Sequence, residues 1–131
     1  MILRYARKRD RKFEEKDSSL TLGKTYLVFG VTLRPDSLHQ PTLVSILRDS
    51  DQTPVQFELQ YFDIIDASLP GNWVFYPFKH FGVSPGYYEL GPKEFTEDFW
   101  DQFHNADEQA EKIFRQVKKK LELFHAMEHD C

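Results

Sequence analysis

Two groups of residues in this chain have the types and spacing that could do chemistry. Asp63 and Asp66, in FDIID, are carboxylates three residues apart. A working acid–base pair needs a pocket that drives the two pKa values apart. In an extended strand, residues three apart point to opposite faces, so this pair needs a bulge to converge and otherwise reads as a solvated strand edge. His125, His129 and Cys131, in HAMEHDC, include the i, i+4 spacing of a helical metal pair. A structural zinc site takes four ligands, and His39, His80 and His104 fall in loops without a paired ligand, so the tail reads as a fraying terminus. No metal or other cofactor is expected. Gly82, Gly86 and Gly91 stand too far apart, among prolines, to cradle phosphates. The rings of Phe75, Tyr76, Phe78, Tyr87 and Tyr88 could stack bases, but their neighbours are acidic or apolar and would repel a phosphate backbone. The expectation is a protein that is not an enzyme.

The elements that would position these groups centre on residues 55–73. Val55, Phe57, Leu59 and Tyr61 alternate with Gln56, Glu58 and Gln60, the pattern of a half-buried strand. The alternation breaks at Phe62, as for a bulge or a strand leaving its sheet. Leu69-Pro70-Gly71-Asn72 is a turn by composition, and Trp73 returns to the core. Upstream, 25–33 (TYLVFGVTL) reads as one buried strand with a bend or bulge at Gly30, and 41–48 as a second, joined to 55–61 by the Asp49-Ser50-Asp51-Gln52 loop. Short strands over 73–76 and 86–90 complete about five. Beyond Pro92 the period becomes helical. Phe95, Phe99, Trp100 and Phe103 mark a short aromatic helix. Ala110, Ile113, Phe114, Val117, Leu121 and Phe124 mark a long C-terminal one, with a cap predicted at Asn105 and Glu108. The fold class predicted is α+β: a bent antiparallel sheet or small SH3-like β-barrel of about five strands, whose inner face packs on the long helix. Val28, Phe57, Leu59, Trp73 and Trp100 are the predicted core.

At 131 residues the chain fits one domain, drawn as a basic, mobile arm over 1–19 and a β-rich domain over 20–131. A single cysteine excludes an internal disulfide, and the first residues lack the apolar run of a signal peptide, so a cytoplasmic location is expected. The net charge of −4 is unevenly spread: residues 1–25 carry eight Lys/Arg against four Asp/Glu, whereas 61–111 carry two against ten. An acidic surface on a small domain suits a basic protein partner, with rim carboxylates steering the encounter and rings carrying affinity.

The order Leu20-Thr21-x-Gly23-Lys24-x-Tyr26, then Phe62-Asp63-Ile64-Ile65-Asp66-x-Ser68-Leu69-Pro70-x-Asn72-Trp73, then Leu90-Gly91-Pro92 and Phe99-Trp100-x-x-Phe103, resembles the small bacterial immunity proteins of contact-dependent growth inhibition and other polymorphic toxin systems. The similarity spans roughly residues 20–114 and is a pattern of turn and core residues rather than a catalytic signature. It implies a protein without chemistry of its own that binds a cognate toxin domain, commonly a nuclease, and blocks its active site or substrate cleft. Joined to the charge distribution, it makes Asp63, Asp66, Tyr87, Tyr88, Glu89, Glu94, Glu97, Asp98 and Asp101 the expected partner-binding residues, with no membrane or direct nucleic-acid contact. The competing expectation is a small-barrel adaptor that binds nucleic acid or a ribonucleoprotein through the basic arm.

Overall fold

The chain starts in the sheet. In the computed structural model, which describes residues 1–7, 20–33, 41–77, 88–96 and 99–129, strand β1 (Ile2–Tyr5) is the middle strand of three. Leu3 and Tyr5 point into the core, at 0% and 7% exposure, while Arg4 faces solvent. The expected mobile arm therefore does not include these residues; the rest of it, from residue 8 to 19, lies outside the described residues. Four residues of alternation inside a basic stretch are too few to register as a strand, yet burying Leu3 contributes about 2 kcal/mol.

The run expected as one strand over 25–33 is two, in different sheets. β2 (Thr25–Leu27) pairs antiparallel with β1, and β3 (Gly30–Leu33) pairs with β4 (Leu43–Leu47). Between them the ladder changes partner from one residue to the next. The Val28 N–H donates to Met1 O at 3.1 Å, and the Phe29 N–H to Ser45 O at 2.8 Å. A second crossing occurs where the alternation breaks. β5 (Pro54–Glu58) pairs with β4, a single 3₁₀ turn occupies Leu59–Tyr61, and β6 (Phe62–Asp66) pairs with β1 in the other sheet. β7 (Trp73–Pro77) and β8 (Tyr88–Pro92) follow, β8 lying against β3. The result is a three-stranded sheet, β2-β1-β6, and a five-stranded sheet, β5-β4-β3-β8-β7, linked by three chain crossings, the third from β6 to β7 through residues 67–72. Among the described residues the sheets do not close into the barrel allowed for above.

One core lies between the sheets: Leu3, Tyr5, Tyr26 and Phe62 meet Val31, Val44, Ile46 and Phe57. The other lies under the helices, where Phe29 and Leu47 meet Phe95, Phe99, Phe114, Val117 and Leu121. Val28 and Phe57 are buried as expected, whereas Leu59, Trp73 and Trp100 are only partly buried.

Helix α1 (Phe99–His104) ends where the N–H of Asp107 reaches Gln102 O and that of Ala106 reaches Phe103 O, both at 3.1 Å. This is a Schellman closure, and it holds Ala106 at φ 59°, where glycine is usual. Helix α2 (Glu108–His129) is capped by Asp107, whose Oδ2 accepts the Ala110 N–H at 2.9 Å, rather than by the predicted Asn105. Its buried positions are Ala110, Phe114, Val117, Leu121 and His125, with Ile113 and Phe124 half-buried beside them.

Candidate interaction surface

Strand β6 presents Asp63 and Asp66 to different partners. Asp63 Oδ1 lies 2.9 Å from Arg7 Nη1 and its Oδ2 3.4 Å from Arg4 Nη2. The Arg7 and then Arg4 guanidiniums hold this carboxyl below its usual range. Arg7 also donates to the carbonyls of Gln60 and Phe62, at 3.0 and 2.8 Å, so its guanidinium ties the strand edge. With every partner solvent-exposed, these pairs add little stability.

Asp66 is turned the other way. Its Oδ1 accepts the Ser68 N–H at 2.8 Å and its Oδ2 sits 3.3 Å from His125 Nδ1. Hydrogen bonds from Ser68, followed by His125, keep the Asp66 carboxyl well below the usual carboxylate range. His125 is buried, at 4% exposure, and its Nε2 lies 2.9 Å from the Met1 amine, which donates to Ser68 O at 2.8 Å. Burial lowers that amine to about 6, with Asp66 pulling the other way. The row amine–imidazole–carboxylate ties the start of β1 and the end of α2 to β6. His125 is thus part of the packed helix rather than of a fraying tail, and the visible signal was its place on the apolar register 110–114–117–121–125. Among the described residues, no group of three or more His, Cys, Asp or Glu side chains could hold a metal ion.

Glu89, expected at a solvent-facing rim, is buried at 3% exposure. Thr32 Oγ1 donates to its Oε1 at 2.9 Å, and the same hydroxyl accepts Gln56 Nε2 at 2.9 Å. Burial pushes the carboxyl up to about 7, with the Thr32 hydrogen bond acting in the opposite sense. Gly30 leaves room for this carboxyl: a Cβ there would come 3.1 Å from Glu89 Oε1, which would have to give by a few tenths of an ångström. Tyr76, opposite Glu89 in the ladder, has its hydroxyl pKa raised by burial and by that carboxyl, and it donates to Phe95 O at 3.1 Å.

Glu94 accepts Asn72 Nδ2 at 2.7 Å and lies 3.4 Å from Lys120 Nζ. Asp101 is half-buried in the first turn of α1. Tyr87, Glu97 and Asp98 lie outside the described residues.

What the sheet leaves open to solvent is aromatic. Phe75, on β7 at the end of the five-stranded sheet, is 59% exposed, and its ring stacks on Tyr88 of β8, centroids 5.3 Å apart and planes 10° from parallel. Ile64 and Ile65 are exposed on β6, at the end of the other sheet. A cavity of about 260 Å³ lies between β2, the β4–β5 loop and α2, over Leu27, Phe29 and Leu47. Its two lysines are already met by carboxylates, Lys24 by Asp49 at 2.7 Å and Lys118 by Glu122 at 3.9 Å, so it offers an entering ion no net charge. No helix among the described residues is long and apolar enough to cross a membrane. The chain matches no protein-family model, no curated protein and no solved structure.

Proposed function

We propose that this protein is an immunity protein: it binds a cognate toxin domain, a basic nuclease, and covers its active site or substrate cleft. The resemblance carried by Phe62–Trp73 and the aromatic helix motif motivates the reading. The observation that supports it best is the stack of solvent-exposed Phe75 on half-buried Tyr88 at the end of the five-stranded sheet. Two ordered rings give a partner a large contact area at little cost in side-chain entropy, which is the make-up of an interface anchor.

The charges take a smaller part than the sequence suggests. Asp63, Asp66 and Glu94 are engaged within the chain and Glu89 is buried, so the proposed interface consists of Phe75 and Tyr88, with Glu97, Asp98 and Asp101 supplying the steering field. In the adaptor alternative, Arg4 and Arg7 would lead the basic contacts, but both are engaged by Asp63.

The test is protection. Cells making the toxin domain encoded beside this gene should survive with the wild-type chain and die with a Phe75→Asp, Tyr88→Ser variant that melts at the wild-type temperature. Death with the wild-type chain would overturn the immunity reading. Survival with the variant would move the interface off this hairpin.

A further inference from the structure

A strand at the end of a sheet presents main-chain groups that can pair with another chain unless something takes them. On β6 an arginine takes one. Tyr61 O accepts the Ala6 N–H, toward β1, so the next carbonyl, Phe62 O, points away from β1, and Arg7 Nη2 donates to it at 2.8 Å. β5, at the end of the other sheet, has no such guard among the described residues. Arg48 N–H donates to Thr53 O and Leu59 N–H to Thr42 O, both at 2.9 Å, which sets the alternation of the β4–β5 ladder. Val55 and Phe57 therefore turn their N–H and C=O groups toward β4, and Pro54, Gln56 and Glu58 turn theirs outward. Proline has no N–H. The Glu58 carbonyl, at the N-cap of the Leu59–Tyr61 turn, takes the first i→i+3 bond of that turn. What remains open is the Pro54 C=O, both groups of Gln56, and the Glu58 N–H, none of them bonded among the described residues.

This set is complementary to itself. Laid antiparallel about a two-fold axis through Gln56, two β5 strands exchange both Gln56 bonds, and each Glu58 N–H meets the Pro54 C=O of the second copy. The N–H that proline lacks falls opposite the carbonyl that Glu58 has already used. A register centred on Phe57 would instead aim the Gln56 N–H at that engaged carbonyl and leave the Pro54 C=O without its donor. The side chains agree with the first register: half-buried Val55 stands opposite Phe57 of the second copy, a β-branched–aromatic pair, and Glu58 stands opposite Pro54, so no like charges meet. We propose that β5 is the contact between two copies of this chain, joining their five-stranded sheets into one continuous sheet across a two-fold axis. The contact goes beyond the immunity reading and does not depend on it.

Two measurements on the purified chain test it. Sedimentation equilibrium up to about 1 mM, where even weak strand pairing populates a dimer, should show a monomer–dimer equilibrium. Over the same range, amide exchange at Gln56 and Glu58 should slow as concentration rises, while Val55 and Phe57, already bonded to β4, stay unchanged. The register is read from charge. Gln56→Lys and Gln56→Glu each place like charges opposite one another at the axis, so each variant alone should dimerise more weakly than wild type, and mixing the two should restore the dimer. The mixed pair should form about 2- to 30-fold more tightly than either homodimer, the ratio when a like-charge cross-strand pair becomes an opposite-charge one at about 0.2–1 kcal/mol each way. Both variants lose the Gln56 Nε2 bond to Thr32, and so does the mixture, so the comparison isolates the pairing. A chain that stays monomeric, or a dimer in which Gln56 and Glu58 exchange as fast as in the monomer, would overturn the assignment. A mixture that pairs no better than its components would overturn the axis at Gln56.

Discussion

Replacing Glu89 with glutamine should remove a loss of stability that sets in between pH 4.5 and 8. Among the described residues Glu89 has one hydrogen-bond donor, Thr32, and it lies over the bare backbone of Gly30, so ionising it places a charge in a site with little to solvate it. Its pKa is raised from 4.5 to about 7. Because the folded value exceeds the unfolded one, the favourable contribution is complete below pH 4.5 and is lost as pH rises through 7. At about 1.36 kcal/mol per unit, the fold should be weaker by about 3 kcal/mol at pH 8 than at pH 4.5 on this account alone. Glutamine keeps an oxygen to accept from Thr32 and carries no charge.

The measurement is a series of urea unfolding curves from pH 4.5 to 8.5, followed by the fluorescence of Trp73 and Trp100. The quantity to read is the difference between the Glu89→Gln chain and wild type. Subtraction removes Asp49, Asp51, Asp63, Asp66 and the Met1 amine, whose lowered pKa values act with the opposite sign, stabilising above the unfolded value and losing that contribution as pH falls. The variant should match or fall slightly below wild type at pH 4.5 and exceed it by about 2–3 kcal/mol at pH 8.5, the small shortfall reflecting an amide N–H₂ that needs its own acceptor. A difference that stays flat across the range would refute burial of the ionised carboxyl as the controlling cost.

Two further substitutions test the packing. Leu3→Ala should lower stability by about 3 kcal/mol in the same assay, since it empties a fully buried position between the sheets; a loss under about 0.5 kcal/mol, the level of ordinary surface positions, would return residues 2–5 to the arm. Ala106→Gly should raise stability by about 0.5–1 kcal/mol, because φ 59° suits glycine and costs alanine, and an unchanged or lowered urea midpoint would contradict the Schellman closure.

The parts of this fold that showed in the sequence are those where one periodicity ran against a clear background. β4 falls within a predicted strand, β5 overlaps one whose last residues, Leu59–Tyr61, form a 3₁₀ turn instead, and the break at Phe62 marked a crossing between sheets because the polar partners Gln56, Glu58 and Gln60 fixed the phase that was then lost. The crossing at Val28–Phe29 was hidden because TYLVFGVTL is apolar on both phases, so a change of sheet leaves no mark in it. Glu89 failed for a different reason. Its charge set it at a wet rim, but the face it shares with Thr32 and Ser45 is covered, those two lying at 2% and 7% exposure. His125 was read by its chemistry instead of its register.

Formal charge along a sequence counts ions before the fold has used them. Of the ten carboxylates over 61–111, Asp63 is paired with arginines from the basic end, Asp66 is hydrogen-bonded beside His125, Glu89 is buried and Glu94 faces Lys120. The same pairing removes Arg4 and Arg7 from the eight cations over 1–25. The surface asymmetry is therefore smaller than the sequence asymmetry, and exposed charges more than about 8–10 Å apart are screened at physiological salt. In the proposed complex this shifts the weight from rim to rings. Carboxylates that remain at the surface set how fast the partner arrives, whereas the desolvated contact on the Phe75–Tyr88 stack sets how long it stays, because long-range steering acts on association and close packing on dissociation. Raising the salt should then slow binding while leaving the lifetime of the complex nearly unchanged.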